Sequence, residues 1–296
     1  MKSLMKKILF VVLGCCIFIL FAGCAATDVT NESLESTEIY NKSLEAVKVA
    51  NSYDFEIAQK EFIQMPLPPM SQEGDYILDE ELFSIEEWET ETFITGKLRQ
   101  QPLSLEMITK INVLDQQDVD LDSDSNRIEL KKYILEGKQY SYFSHWGVWA
   151  VQDLREIDID WENLENINKQ SNPMYFLNLL ENGLAREAVL ETDQQHYILS
   201  LENNEDELIR KIMKDILGDD GKLSEASYKI WIDKEAYLPE KSNFKYKLAT
   251  DIGESTRITI HESEIYYSNF GAVDKIAIPD EAKNAVNMEE LLEGNI

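Results

Sequence analysis

Asp118, Asp120, Asp122, Asp124 and Glu129 carry carboxylates at positions 1, 3, 5, 7 and 12 of a short stretch. That is the spacing of an EF-hand loop, in which roughly six to eight oxygens surround calcium. Two positions depart from it. Ser123 stands where glycine makes the sharp turn, Ser125 stands where an apolar residue is expected, and no helix precedes the run. Alternating aspartates equally describe a solvated hairpin loop between Val113 and Ile128, so this is a weak calcium candidate. Other chemistry is harder to find. His145, His196 and His261 lie far apart, without zinc-type spacing. No Gly-x-Ser-x-Gly elbow occurs, and Gly218-Asp219-Asp220-Gly221-Lys222 lacks the spacing of a phosphate-binding loop. With 56 acidic residues, the nearness of any two carboxylates says nothing. The expectation is a non-enzyme with no catalytic residue and no cofactor.

The remaining reactive group is a thiol. All three cysteines lie at or before position 24. Lys2, Lys6 and Lys7 precede an apolar run from Ile8 to Leu20, which closes on Phe21-Ala22-Gly23-Cys24. A positive start, an apolar middle and a small-residue end make a secretory leader. The run falls short of the roughly 20 residues that span a bilayer. A cysteine directly after Ala-Gly resembles a bacterial lipobox, in which Cys24 is diacylated through its sulfur and becomes the mature N-terminus. Phe21 stands where that motif usually has leucine. Cleavage at Cys15 or Cys16 instead would leave Ile17-Phe18-Ile19-Leu20-Phe21 on the mature chain.

Residues 1–23 are therefore read as a lipoprotein signal peptide, and 24–35, polar and without apolar periodicity, as a flexible tether. Residues 36–296 are read as a single domain. Taking the leader's three lysines from a net charge of −28 leaves −31. Binding to a phosphate backbone depends on Lys and Arg contacts, so nucleic acid is excluded as a partner. The mature chain has no disulfide to brace it. A chain this long buries roughly three quarters of its unfolded surface, and 44% hydrophobic residues supply that core.

The elements follow from periodicity. A helix is predicted near Ser36–Asn51, with Ile39, Leu44, Val47 and Ala50 or Val49 on one side and Ser36 or Thr37 as cap. From Tyr53 the period changes to two. Strands are predicted at Tyr53–Ile63, Thr92–Arg99, Leu103–Leu114, Ile128–Leu135, Gln139–Ser144, Val148–Leu154, Ala188–Thr192, His196–Leu201, Ala226–Ile232, Ser242–Ala249, Thr256–His261 and Ile265–Phe270. Met65-Pro66-Leu67-Pro68-Pro69 is expected to leave any ladder, and the stretch up to Glu91 has no clear pattern. Further helices are predicted at Trp161–Leu180, restarting at Asn172-Pro173, and at Asn204–Leu217. Short turns between so many strands imply one antiparallel sheet, which must twist and curl. With helices to cover one face, the class is α+β.

Short segments resemble a known superfamily. They are Tyr40-Asn41-Lys42-Ser43-Leu44-Glu45-Ala46 leading to Ser52-Tyr53, Trp149 after a turn, Trp231-Ile232-Asp233-Lys234 followed by Tyr237-Leu238-Pro239, and Ile278-Pro279-Asp280-Glu281-Ala282. Together they resemble the bacterial lipoprotein-carrier (LolA/LolB/LppX-like) superfamily, and more closely Gram-positive lipoproteins of undetermined function. The resemblance implies a half-barrel of about eleven strands whose concave, apolar face is lidded by helices and holds acyl chains. Phe93, Met107, Tyr140, Tyr142, Trp149 and Trp231 belong either to such a cavity or to ordinary core. Two functions are expected from this. One is an extracytoplasmic, membrane-anchored carrier or sensor that binds a lipid or other apolar ligand. The other is an interaction module with a filled core that docks a membrane-protein partner.

Overall fold

The computed structural model describes residues 35–67, 84–114, 127–156, 172–178, 180, 188–202, 221–252 and 255–292. After helix α1 (Ser36–Ala50) come strands β1 (Ser52–Leu67), β2 (Ser84–Gln100), β3 (Leu103–Leu114), β4 (Arg127–Leu135), β5 (Lys138–Phe143) and β6 (Val148–Asp153). A short helix α2 (Pro173–Asn178) precedes β7 (Val189–Thr192), β8 (His196–Glu202), β9 (Gly221–Asp233), β10 (Pro239–Ile252) and β11 (Ser255–Ser268). The described chain closes with β12 (Val286–Asn287) and helix α3 (Met288–Leu292).

All twelve strands belong to one sheet, in the order β12-β6-β5-β4-β3-β2-β1-β11-β10-β9-β8-β7. Neighbours are antiparallel except β12, which runs parallel to β6. β12 and β7 end the order and do not pair, so the sheet is open, half-barrel-like and not closed. Twelve strands replace the expected eleven or so, and the described residues are mainly β, not an even α+β mix. Of the expected later helices, only the part restarting at Asn172-Pro173 is described. There Asn172 Oδ1 accepts the Met174 N–H at 2.9 Å, and Pro173 takes the first helical position. Residues 161–171 and Asn204–Leu217 lie outside the described residues.

Alternation decides the two faces. Tyr53, Phe55, Ile57 and Ile63 of β1 are buried, while Glu56 and Lys60 between them are exposed. Register carries that choice across the sheet, since directly opposed residues share a face. Phe55 stands opposite Gly96 on β2 and Tyr267 on β11, and Ile57 opposite Ile94 and Ile265. The same face continues in neighbouring rows, through Ser263, Phe244 and Tyr228 on one side and through Tyr53, Leu98, Leu105 and Ile134 on the other. Phe55 is 1% exposed, and its ring lies directly over Gly96. The sheet centre is thus packed on this face.

Three local expectations need correction. Pro66 stays in the sheet: β1 pairs with β2 through Leu67↔Ser84, but its ladder to β11 ends at Gln64↔Ile258. There β1 has β2 alone for a partner, a setting that tolerates a missing N–H. The unpatterned residues 84–91 accordingly form the first half of β2. Thr256–His261 and Ile265–Phe270 are one strand, since Glu262, Ser263 and Glu264 keep pairing on both sides. In α1 the buried residues are Ile39, Tyr40, Ser43 and Val47, whereas Val49 is 81% exposed. Its N-cap is Glu35 without a side-chain cap, and Ser36 Oγ instead donates to Ala188 O.

Candidate functional site

The face opposite the packed row holds cavities, and register sets their walls. The larger, about 700 Å³, lies over β2, β3 and β4. Phe93 stands opposite Lys110 and Thr95 opposite Ile108, and Lys110 and Asn112 face Glu129 and Arg127. On this face Phe93 and Ile108 give it apolar surface, while Lys110, Asn112, Arg127, Glu129 and Ser144 supply polar groups; Ile111 and Ile128, also at its wall, stand opposite each other on the packed side. Phe93 is 45% exposed, unusual for a phenylalanine in the middle of a sheet. Ser144 is fixed by an exchange with β4: its N–H donates to Glu129 O at 3.1 Å and its Oγ accepts the Glu129 N–H at 3.0 Å. The Glu129 carboxylate is engaged by Lys131 Nζ at 3.1 Å. An open apolar surface with a few polar groups at its margin suits a ligand with an apolar body, and the volume falls within the usual roughly 300–1,000 Å³.

A second cavity, about 650 Å³, is bounded by Glu56, Asp193, His196, Trp231, Glu240, Lys241, Tyr266 and Ser268. His196 begins β8 and bridges two carboxylates. Its Nδ1 lies 3.0 Å from Asp193 Oδ2, and its Nε2 lies 3.0 Å from Glu240 Oε2. The hydrogen bonds to Glu240 and then Asp193 raise the imidazole's pKa above its ordinary value. Asp193, which also accepts the N–H groups of Gln195 and His196, is held down at about 2, chiefly by the His196 side chain. Lys241 Nζ lies 2.8 Å from Glu264 Oε1, 5.2 Å from the Trp231 ring centroid and 4.9 Å from that of Tyr266.

These cavities divide the aromatic candidates. Phe93 lines the first and Trp231 the second. Tyr142 stands opposite Trp149 with ring centroids 5.2 Å apart, and Tyr133 joins Trp149 at 5.9 Å. Tyr140 stands between Tyr133 and Val151 in the same rows. Met107 belongs to the packed face, opposite Gly96. His145 lies in the β5–β6 turn, and His261 on the packed face, stacked on Tyr246 at 4.8 Å. Burial pushes the His261 pKa down to about 4. Sequence reasoning missed Asp193, Glu240 and Lys241 as partners of His196 and Trp231; the signal lay in the adjacent turns, Asp193 before His196 and Asp233-Lys234 after Trp231.

Of the calcium candidates, Asp118, Asp120, Asp122 and Asp124 lie outside the described residues, as does Cys24. Glu129 is in β4. Among the described residues no group of three or more His, Cys, Asp or Glu could hold a metal ion, and no helix is long and apolar enough to cross a membrane.

A family model described as a family of unknown function, DUF6612, matches residues 35–287. No curated protein matches the chain. The crystal structure of a beta-barrel-like protein of a domain of unknown function, DUF1849, from Brucella abortus is 9% identical, with 71% of this chain and 98% of that chain covered and a TM-score of 0.23. The ywiB protein from Bacillus subtilis is 9% identical over 74% of this chain and 92% of its own, with a TM-score of 0.13. Neither likeness is close enough to carry an argument.

Proposed function

Since the chain belongs to the DUF6612 family of unknown function, we propose its role from its own geometry: a lipoprotein anchored at the extracytoplasmic membrane face through Cys24, whose open sheet binds a lipid or other apolar ligand. The observation that carries this reading is the 700 Å³ cavity over β2–β4, with Phe93 standing open in its wall. An acyl chain entering it gains about 0.8 kcal/mol per buried CH₂. A large open sheet is also what a half-barrel carrier of the LolA/LolB/LppX type requires. The binding surface differs from the one such a carrier suggests, because the centre of the buried face is filled by Phe55 over Gly96.

That filled centre favours a second reading, an interaction module for a membrane-protein partner. One experiment separates them. The chain from residue 26 onward is purified without detergent, extracted with organic solvent and examined by mass spectrometry, alongside the variant Phe93→Asp. Co-purifying acyl species that disappear in the variant support the carrier or sensor. If neither protein yields a bound lipid and neither takes up a fluorescent fatty acid, the interaction module stands instead.

A further inference from the structure

We propose that the cavity bounded by His196, Trp231, Lys241 and Tyr266 binds an organic ammonium ion, which competes with the Lys241 side chain for the two aromatic faces. Register places the site on the face opposite the packed core: Lys241 stands between Trp231 on β9 and Tyr266 on β11, and Tyr266 stands opposite Glu56 on β1. Trp231 already attracts two cations of the chain, Lys241 at 5.2 Å and Lys229 at 5.5 Å. Lys229 is also held by Glu191 at 3.2 Å, outside the cavity. Within the cavity, Trp231 thus meets Lys241, a cation on a flexible stem, with about 650 Å³ of space beside it. The negative face of an indole or phenol ring attracts ammonium groups generally, quaternary ones included.

Charge selects the sign of the ligand. Glu56, Asp193, Glu240 and Glu264 set four carboxylates against two cationic groups, Lys241 and His196. Both cationic groups are already engaged, Lys241 by Glu264 and His196 by Asp193 and Glu240. Glu56 makes no ion pair among the described residues. An arriving anion would meet net negative charge, and an arriving cation would meet Glu56 and two rings. A bare metal ion fits poorly, because the described residues offer no cluster of three ligands. An alkylated ammonium satisfies both the rings and the charge.

The resident lysine makes the test specific. Choline chloride is titrated into the full chain in a mild detergent and followed by isothermal calorimetry and tryptophan fluorescence. The same titration is run on Lys241→Gln and Trp231→Leu, with thermal melts to establish folding. Lys241→Gln is expected to tighten choline binding by about three- to fivefold, since it removes the competing cation, and Trp231→Leu to weaken it by at least as much. A merely structural role for Lys241 would loosen binding or leave it unchanged. The proposal is overturned if choline does not bind the folded wild-type chain up to about 50 mM, a concentration that captures even weak cation–π sites, or if Lys241→Gln fails to tighten it.

Discussion

His196 and His261 show how one residue type, on opposite faces of the sheet, responds to pH in opposite directions. His196 has its pKa raised by Glu240 and Asp193, so its stabilisation is complete below the unfolded value of 6.5 and lost as pH rises through the higher folded value. His261 is depressed to about 4 by burial, so it costs nothing above 6.5 and progressively destabilises as pH falls from 6.5 to 4. That gap corresponds to a penalty on the order of 3 kcal/mol at the acid end. His261→Phe, which preserves the stack on Tyr246, is therefore expected to raise Tm at pH 4.5 by several degrees and to leave it nearly unchanged at pH 7.5. His196→Gln should lower Tm at pH 5.5 and converge on wild type as pH rises through the elevated folded value. Melts of both variants across this range check the pair, and equal shifts at every pH would refute the assignment. Neither behaviour was legible in the sequence, where the three histidines had only their wide separation to offer. A histidine's environment comes from residues brought in by register: Glu240 is 44 positions from His196, and Tyr246 meets His261 only across the β10–β11 ladder.

Elements were far more legible than sites. β3 falls on Leu103–Leu114 as predicted, and β1 shows the reason most clearly: Tyr53, Phe55 and Ile57 are buried on one face, which writes period two directly into the residues. The hairpin β7–β8 is equally plain. The failures share a cause: β2 begins with an exposed acidic stretch, and β11 carries Glu262-Ser263-Glu264 at its middle, where the inward residue is a buried serine, so neither stretch shows the apolar alternation that marks a strand. Glu136 and Gly137 both have positive φ, 54° and 76°, and form the two-residue turn between β4 and β5. Gly96 shows what the pattern hides: it occupies a core-facing position where a residue with bulk would be expected. A Cβ there would collide with Phe55 Cζ and come within 2.5 Å of Glu106 O. Gly96→Ala is expected to cost about 1–3 kcal/mol by overpacking, read from urea unfolding. Phe55→Leu added to it should recover only part of the loss, because the Glu106 contact is backbone. Full recovery would mean that the strand spacing at Gly96 is looser than the structure has it.

At the scale of the whole molecule, the proposed anchor is tested by mass. The membrane-extracted chain should lack residues 1–23 and carry a diacylglyceryl group on Cys24, and Cys24→Ala should carry none; an intact leader on the wild-type chain counts against the lipoprotein reading. A single antiparallel sheet was legible from strand number and turn length, and its half-barrel form only from the resemblance, whereas strand order was not legible, since nothing local records that β1 and β11 pair. That pairing divides the molecule in time. β1 to β6 form a run of neighbours joined in sequence, and so do β7 to β11, but the seam between the runs joins Asp54 to Ser268. Synthesis delivers β1 early and its partner last. Until some two hundred residues have followed, the strand destined for the middle of the sheet is its rim, with a row of amides and carbonyls open to any extended chain nearby. Whatever guards that rim while the second run is made, a chaperone or sheer speed, decides how much of the protein survives its own birth.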